Sequence, residues 1–410
     1  MSDRRVRVGI FAGGRSAEHE VSIASAEAVL RAIDRERYEP YLVYIDPQGR
    51  WRLPTAPAEE LGSASLPALL GAETVIEHAA RLRAHDSQLP APVAGQMDGL
   101  APRQALRSLA ETIDVAFLVV HGPFGEDGTL QGFLELADIP YIGAGVLASA
   151  VAMDKVVFKD LMRGHGLPVV DYTSFRRSTW RREPRHVLRE VAERIGDRCV
   201  VKPARLGSSV GMSLVHGPDQ LPAALDEAFG WDAKVIVEEY IPGARELECG
   251  VLGNDDPIVF EPGEVRSSHE YYDYEAKYTE GLAEVVPRAD VEPDLAARVK
   301  ELALAAYRAV DCAGMARVDF LVPAGEPFIS EMNTLPGFTG TSMFPKQAEL
   351  AGLPFPRLIS RLIELGLAAD HEGRTAAPTS RGAPLEAGAS EPKAADPADA
   401  DERPDLEAEA

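Results

Sequence analysis

Apolar residues in the first 120 positions form short continuous runs separated by one helical repeat. Residues 6–12 are mostly apolar and predict a buried strand, and residues 115–120 are a continuous apolar run of the kind found in parallel sheets covered on both faces. A glycine turn follows at 13–16, and the apolar spacing of residues 20–33 then predicts a helix. Further strands are predicted at 41–46 and 115–120. Strand, glycine turn, helix and strand in this order begin an open parallel α/β sheet.

The pattern changes after residue 143. Strands and helices then alternate less regularly, which indicates α+β organisation. The further predicted elements are strands at 199–203, 212–215, 235–239, 247–252, 316–322 and 328–331, and helices at 153–165, 295–310 and 355–367. We therefore predict an N-terminal α/β domain over residues 1–143, a central small domain over 144–235 and a C-terminal α+β domain over 236–367. Residues 52–110 carry helical patches without a periodicity that would place elements.

Composition narrows the class of protein. The 410 residues are 45% hydrophobic, and no apolar run reaches the roughly 18 residues of a membrane span. The three cysteines have no metal-binding spacing and predict a reducing compartment, so we expect a cytoplasmic protein. A net charge of −23 disfavours nucleic acid and anionic membranes as partners. Residues 368–410 hold eleven acidic and four basic side chains with few large apolar ones, which predicts a disordered acidic tail.

A lysine followed by a small-residue loop gives the sharpest local signal. Lys202 ends the apolar strand at 199–203, and glycines and serines fill residues 205–211. Glycines let backbone N–H groups approach a phosphate, serines add donors, and the lysine supplies a cation. The chain contains no Walker sequence, and this loop joins two strands instead of opening a helix. A tight hairpin with no ligand is the alternative.

Two strands each carry polar side chains at a spacing of two. Alternation places Arg317 and Asp319 on one face of their strand, and Glu331 and Asn333 on one face of the next. If the strands pair, three oxygen ligands suited to Mg²⁺ converge beside a guanidinium. A structural cluster of arginine and carboxylates is the alternative.

Three loops are candidates for substrate contacts. Residues 334–342 can direct backbone amides at a developing oxyanion, or form an ordinary proline–glycine turn. The tyrosine-rich residues 271–278 suit a lid over a nucleotide, or a polar surface loop. His121 begins the loop at 121–128, after the carboxyl end of a predicted parallel strand, where ligands of open sheets usually bind, although a lone histidine there is more often structural.

The order of these motifs resembles the D-alanine–D-alanine ligase family. The matching segments are residues 13–22, 121–132, 153–155, 202–212, 272–278, 317–319 and 331–337, and the resemblance covers residues 5–367. It implies the ATP-grasp fold, with ATP held between the central and C-terminal domains. It also implies ADP-forming ligation of two D-alanines through an acyl phosphate, for peptidoglycan precursor synthesis.

The resemblance implies a role for each matching residue. Those implied to bind ATP are Lys155, Lys202, Ser208, Ser209, Val210 and Gly211 at the phosphates, Glu238, Ile241 and Glu246 at the adenine and ribose, and Lys277 at the transferred phosphate. Asp319, Glu331 and Asn333 would hold two Mg²⁺ ions, for which Mn²⁺ can substitute. The remaining implied contacts are Glu18 near His121 for the first D-alanine, Ser342 for the second, Arg317 and Gly337 for the oxyanion, and Ser208 and Tyr278 for the closed lid.

Two features depart from the family's pattern, and two other functions stay open. Glu239 stands where relatives often carry lysine or glutamine beside the adenine, and the acidic tail has no family counterpart. The alternatives are an ATP-grasp ligase with another second substrate, such as D-lactate, and a catalytically silent nucleotide-binding regulator. An intact set of Arg317, Asp319, Glu331 and Asn333 argues against the regulator. The resemblance also implies that the protein is a homodimer.

Overall fold

The structure is a computed structural model that describes residues 4–59, 64–72, 108–267 and 283–369. In these parts of the chain the strands form three sheets. No helix among them is both long and apolar enough to cross a membrane. Lys277, Tyr278 and nearly all of the predicted acidic tail lie outside the described residues, so those predictions stay as they are.

The first sheet has the strand order β3-β2-β1-β4. Its strands are β1 (Val6–Gly13), β2 (Tyr38–Ile45), β3 (Trp51–Arg52) and β4 (Val115–Leu118). β1 is parallel to β2 and β4, whereas β3 runs antiparallel to β2. Helix α1 (His19–Ala32) packs on β1. The open parallel sheet predicted from the sequence is confirmed. Two short helices, α2 (Leu66–Leu70) and α3 (Thr129–Glu135), complete the described part of this region.

The second sheet is antiparallel throughout, in the order β5-β8-β6-β7. Its strands are β5 (Tyr172–Arg176), β6 (Cys199–Pro203), β7 (Ser213–Val215) and β8 (Lys234–Glu239). Helices α6 (Arg177–Arg182), α7 (Pro184–Arg194) and α8 (Leu221–Trp231) accompany it. Val187 and Val191 of α7 join a core with the apolar side chains of β6 and β8. The predicted boundary at residue 235 falls inside β8.

The third sheet is antiparallel, in the order β12-β11-β9-β13-β14, with β10 beside β9. Its strands are β9 (Arg245–Leu252), β10 (Ile258–Val259), β11 (Gly263–Ser267), β12 (Ala283–Val286), β13 (Met315–Val322) and β14 (Phe328–Asn333). Helix α9 (Pro293–Ala309) packs on β9 and β13. This sheet confirms the α+β character predicted for the region.

Two helices end the described chain. They are α10 (Met343–Leu350) and α11 (Phe355–Ala369). The apolar face predicted for the final helix is confirmed, because Leu358, Ile359 and Leu362 are fully buried. α11 packs against α1 and β4, so the end of the described chain returns to the first sheet.

The helix predicted at 153–165 is confirmed as α5 (Lys155–Gly164), which begins two residues later than predicted. A second helix, α4 (Val146–Met153), precedes it and was not predicted; the two are separated at Asp154. Asp154 has an extended backbone, with φ −91° and ψ 99°, and its side chain accepts hydrogen bonds from the backbone N–H groups of Val156 and Val157. An aspartate that caps the second helix therefore ends the continuity suggested by the apolar spacing. The break places Lys155 at the first position of α5.

Candidate active site

A cavity lies between the second and third sheets. Its lining includes, from the predicted set, Lys155, Lys202, Ser208, Ser209, Val210, Glu238, Ile241, Glu246, Arg317, Asp319 and Glu331. The second sheet contributes the lysine-bearing end of β6 and the end of β8, and the third contributes β9, β13 and β14. The structure thus gathers the predicted phosphate loop, the predicted adenine contacts and the predicted metal-binding strands around one space.

The loop between β6 and β7 has an unusual backbone. Ser208 and Ser209 have φ of +48° and +57°, in the left-handed region that side chains rarely adopt, and Gly211 has φ +70°. Such conformations persist only where the surroundings hold them, and they concentrate at ligand-binding sites. Gly211 faces away from the cavity, because a Cβ atom there would stand 2.5 Å from the Trp231 ring.

Glu18 joins this loop to the first sheet. Its carboxylate accepts a hydrogen bond from the Ser208 hydroxyl. Two glycines lie against it: a Cβ atom would stand 2.8 Å from a Glu18 oxygen at Gly207 and 2.7 Å from one at Gly122, and Gly122 also has φ +73°. The predicted pair of Glu18 and Ser208 is therefore brought together, although Glu18 itself does not line the cavity.

Lys155 reaches the cavity from the start of α5. Its Nζ donates to the Leu206 carbonyl oxygen at 2.9 Å and lies 2.9 Å from a carboxylate oxygen of Glu331. Its backbone N–H donates to the Ala204 carbonyl oxygen, which fixes the beginning of the helix beside β6. One lysine therefore links the phosphate loop to the predicted metal-binding strand.

Lys202 reaches the same cavity from the end of β6. Its Nζ lies 2.7 Å from one carboxylate oxygen of Glu238, whose other oxygen lies 3.2 Å from Nζ of Lys159. Burial acts to raise the pKa of Glu238, but the two lysines outweigh it and lower the pKa to about 2. Glu238 therefore stays ionised, and its charge in turn raises the pKa of Lys202 against the effect of burial.

The paired strands β13 and β14 bring the predicted polar side chains together. Arg317 lies opposite Asn333 and Asp319 opposite Glu331, so the convergence expected from alternation is confirmed. Arg317 donates two hydrogen bonds of 2.7 Å to Asp319, and the Asn333 amide donates one of 2.9 Å to the same carboxylate. Burial acts to lower the pKa of Arg317, but Asp319 and then Glu248 hold it well above the ordinary value.

The loop that follows β14 is held from the first sheet. His121 is buried and its Nδ1 lies 3.0 Å from the Leu335 carbonyl oxygen, which makes Nδ1–H the donor. Burial lowers the pKa of His121, consistent with a neutral ring. Glu126 accepts hydrogen bonds from the backbone N–H groups of Gly122 and Leu335, at 2.6 and 3.3 Å. These contacts fix the loop two residues before Gly337.

Ser342 stands at the end of the same loop, as the N-cap residue of α10. Its hydroxyl lies 3.0 Å from where a Cβ atom of Gly337 would be, and 3.2 Å from the backbone N of Thr339, which donates to it. Gly337 and Ser342 are therefore neighbours. A helix N-terminus beside a hydroxyl favours a carboxylate, because unpaired N–H groups and the helix dipole point there.

Glu126 provides a test of this loop arrangement. Burial, followed by repulsion from Glu18, raises the pKa of Glu126 to about 8. A carboxyl with a raised folded-state pKa contributes stability below its unfolded pKa of about 4.3, and this is lost as pH rises toward 8. We expect Glu126→Gln to gain about 3 kcal/mol in unfolding free energy over the wild type between pH 5.5 and 8.5, at about 1.36 kcal/mol for each pH unit up to the pKa of about 8.

Urea unfolding at both pH values measures this difference. Glu349→Gln, at an exposed carboxyl on α10, serves as the matched control and should show the same difference from wild type at both pH values. If Glu126→Gln behaves like the control, Glu126 carries its charge at neutral pH and our description of the loop is wrong.

Sequence reasoning missed three charged side chains of this site: Lys159, Glu248 and Glu126. Each carried a usable signal. Lys159 follows Lys155 by one helical turn, and Glu248 follows Glu246 at the spacing that shares a strand face. Glu126 lies in the motif that begins at His121. These spacings alone did not single the three residues out, because a side chain that acts by pairing with another side chain has no recognisable motif of its own.

The side chains predicted to hold a metal form a mixed set of carboxylates and an amide. Within the described ranges, no group of three or more His, Cys, Asp and Glu side chains could hold a metal ion. The predicted set contains only two carboxylates, Asp319 and Glu331, with the Asn333 amide as third member. In this structure Arg317 and Lys155 neutralise the two carboxylates.

Comparisons with known proteins identify the family. Residues 7–144 match the model for the D-ala D-ala ligase N-terminus, and residues 161–364 match that for the D-ala D-ala ligase C-terminus. The D-alanine–D-alanine ligase of Deinococcus radiodurans is 44% identical over 366 residues, which cover 88% of this chain and 98% of the relative.

Solved structures agree. The VanG D-Ala:D-Ser ligase of Enterococcus faecalis matches with a TM-score of 0.71 at 31% identity, over 88% of this chain and all of that one. A D-alanine–D-alanine ligase from Bacillus anthracis, solved in complex with ATP, matches with a TM-score of 0.65 at 29% identity, over 90% of this chain and 99% of that one. The ATP-grasp fold implied by the resemblance is confirmed. With both family models matched in order and a relative this similar over most of its length, the chain belongs to the D-alanine–D-alanine ligase family.

Proposed function

We propose that this protein joins two D-alanines to D-alanyl-D-alanine at the expense of ATP, through an acyl phosphate, for peptidoglycan precursor synthesis. The observation that supports the proposal is one cavity lined both by two lysines suited to phosphate, Lys155 and Lys202, and by Arg317, Asp319 and Glu331 of β13 and β14. A nucleotide-binding regulator needs the lysines but has no use for an oxyanion-stabilising guanidinium beside them.

The cavity suits ATP by its charges and its backbone. Lys155 and Lys202 both line the cavity with ammonium groups, and Ser208, Ser209 and Val210 line it as well, with Ser208 and Ser209 in the left-handed backbone region. Ile241 and the backbone after Glu238 provide the less polar end, where adenine and ribose would lie against Glu246. Lys277 would add a further cation at the transferred phosphate.

The donor set suits Mg²⁺, with Mn²⁺ as a substitute. Carboxylates and an amide oxygen are the hard ligands that such ions prefer. Asp319, Glu331 and Asn333 would hold two ions, which neutralise charge on the nucleotide phosphates when bound. The chain's own part is to release its internal counter-ions: Lys155 turns from Glu331 to a phosphate, and Arg317 turns from Asp319 to the reacting carbonyl.

The first D-alanine would lie between the first sheet and the loop after β14. Glu18 offers a carboxylate for its ammonium group, close to the buried His121. The carboxylate of the first D-alanine would attack the γ-phosphorus of ATP, so that the acyl phosphate forms as the bond to ADP breaks. The neutral amine of the second D-alanine would then attack the acyl carbon, and Arg317 and the Gly337 N–H would stabilise the tetrahedral oxyanion. Loss of inorganic phosphate, and of the amine proton to solvent, leaves the dipeptide.

The second D-alanine would place its carboxylate at Ser342 and the N-terminus of α10. This end of the site sets the acceptor. Tyr278, expected to hydrogen-bond toward Glu18 and Ser208 in the closed state, would keep the lid over the acyl phosphate and exclude water. Glu239 lines the nucleotide cavity. Its charge beside the adenine remains the departure from relatives that most directly concerns nucleotide preference.

Acceptor choice is the first test. We expect the wild type to use D-alanine, increasingly well as pH rises because the attacking group is the neutral amine, and to make little product with D-lactate or D-serine. Tyr278→Phe removes one hydrogen bond worth about 0.5–1.5 kcal/mol, so dipeptide synthesis should fall and D-lactate product should appear near pH 6. Product analysis with the three acceptors at pH 6 and pH 8 measures this.

The acceptor assay separates this proposal from its nearest rivals. Equal use of D-lactate by the wild type would replace the dipeptide assignment with a depsipeptide ligase. Preference for D-serine would place the chain with the function named for the Enterococcus faecalis relative. Nucleotide binding without any product would favour the regulator.

We further propose a cytoplasmic homodimer built from the three domains predicted by sequence. The cysteines Cys199, Cys249 and Cys312 are free and buried, which suits a reducing compartment. The domain boundaries and the dimer rest on the sequence pattern and the family resemblance, and sedimentation of the full chain tests the dimer.

A further inference from the structure

One buried carboxylate of the nucleotide cavity faces two ammonium groups. Lys159 is completely buried on α5, and its Nζ lies 3.2 Å from one oxygen of Glu238. Lys202 lies 2.7 Å from the other oxygen and, unlike Lys159, lines the cavity. A single negative charge is thus shared by a lysine that can meet a ligand and a lysine that cannot.

We propose that Lys159 is a positioning residue that remains as the counter-ion of Glu238 when Lys202 turns to a nucleotide phosphate, so that Lys202 is released at little cost. The inference rests on the proposed function, since it concerns how the same site accepts its nucleotide. It assigns a role to a side chain that touches neither substrate nor metal.

Burial explains why a second lysine is needed. If Lys202 were the sole partner of Glu238, phosphate binding would leave a buried carboxylate without a counter-ion, which is strongly unfavourable. Lys159 removes that penalty because its place inside the fold does not change when a ligand binds. Lys159 also acts to lower the pKa of Glu238, and this contribution remains when Lys202 turns away.

The geometry of the Lys159 contact fits a standby role. Among the described residues, neither Nζ of Lys159 nor the Glu238 oxygen facing it has a hydrogen-bond partner. Charge alone therefore holds this side of the pair, while Lys202 makes the shorter contact. When Lys202 leaves, the 3.2 Å contact can tighten into a charge-assisted hydrogen bond.

Two other described carboxylates, Glu331 and Glu246, also attract Lys202, but Glu238 is its contact partner. Glu331 and Glu246 also raise the pKa of Lys202, so they attract it from a greater distance. Glu331, however, is paired with Lys155 at 2.9 Å. Helical spacing places Lys155 and Lys159 one turn apart on α5, so one helix supplies both a lysine that meets phosphate and the lysine that frees Lys202.

A mutant cycle with nucleotide and nucleoside tests the proposal. We would titrate full-length wild type, Lys159→Met, Lys202→Met and the double variant with ADP in Mg²⁺ and with adenosine, by calorimetry. Lys159→Met should weaken ADP binding about tenfold, as for a lost charge-assisted contact, and adenosine binding by less than about twofold. In the Lys202→Met background the same change should cost less than about twofold, because no lysine remains to be released.

A further pair keeps the test decisive if loss of a Glu238 counter-ion harms the folding of Lys159→Met. Glu238→Gln and Lys159→Met/Glu238→Gln differ only in Lys159, and neither traps Lys202. We expect their ratios of ADP to adenosine affinity to agree within about twofold. Melting temperatures identify any misfolded variant. If Lys159→Met is misfolded, the comparison of these two variants replaces it.

Two results would overturn the inference. One is a tenfold loss of ADP affinity on removing Lys159 in either the Lys202→Met or the Glu238→Gln background, which would show that Lys159 acts without Lys202. The other is an equal loss for adenosine and ADP, which would make Lys159 a structural support of the adenine end. A wild type that binds no ADP would instead contradict the proposed function.

Discussion

Arg317→Met should lower kcat by about 10²–10³, the usual cost of removing one preorganised oxyanion-stabilising group. Arg317 is largely buried, and its two hydrogen bonds to Asp319 hold the guanidinium at the cavity wall. Because the guanidinium acts on charge that develops during the reaction, the KM for D-alanine should change far less than kcat. Steady-state kinetics with ADP release as the readout measure both.

The control separates chemistry from folding. Arg245→Met removes an arginine that pairs with Glu264 on the same sheet, outside the nucleotide cavity. It should leave kcat within about threefold of the wild type while costing a similar kind of ion pair. If Arg317→Met retains a near-normal kcat and the KM alone rises, Arg317 binds substrate in the ground state and the assigned role is wrong.

Asp319→Asn and Glu331→Gln should each raise the Mg²⁺ concentration needed for half-maximal activity by about 10–100-fold. Each change keeps the shape of the side chain and removes one ligand charge. The two variants also release Arg317 and Lys155 from their internal partners, so binding of ADP without Mg²⁺ should not weaken. Activity titrations with Mg²⁺ and with Mn²⁺ provide the measurement.

Glu264→Gln is the matched control for these variants. It neutralises a buried carboxylate of the same sheet that pairs with Arg245 and Arg266 and lies outside the cavity lining. Its Mg²⁺ requirement should equal that of the wild type. A wild-type Mg²⁺ requirement in both Asp319→Asn and Glu331→Gln would place the metal elsewhere.

The sequence predicted the strands of this protein better than its helix ends. Strand β4 is a continuous apolar run that is buried throughout, and β13 alternates buried and partly buried positions, so both patterns are legible in the sequence. The start of α5 was predicted two residues early, and α4 before it was not predicted. The hydrogen bonds by which Asp154 caps Val156 and Val157 identify the boundary only once the backbone is known.

The structure brings predicted site residues together where their grouping depends on spacing along one strand. Alternation alone put Arg317 with Asp319 and Glu331 with Asn333, and the pairing of β13 with β14 completed the set. Contacts between residues far apart in the sequence could not be predicted. No local pattern in the sequence predicts the ion pair between Lys155 and Glu331. The same is true of the hydrogen bond between His121 and Leu335, which are more than two hundred residues apart.

Side chains that serve other side chains were hardest to predict. A buried lysine such as Lys159 looks like a solvated helix position until its counter-ion is located, since lysine is almost never fully buried without a partner. The tertiary structure supplies that partner in Glu238. The same holds for Glu248, whose ion pair with Arg317 depends on the register between β9 and β13.

Whether the protein ligates two D-alanines at the expense of ATP is measured by ADP release from the purified full chain with ATP and Mg²⁺. The assay is run in the presence and absence of D-alanine, and the products are identified. We predict ADP formation that requires D-alanine, is not supported by L-alanine, and yields one D-alanyl-D-alanine for each ADP. ADP release that does not depend on D-alanine, or D-alanine-dependent release without the dipeptide, would contradict the account.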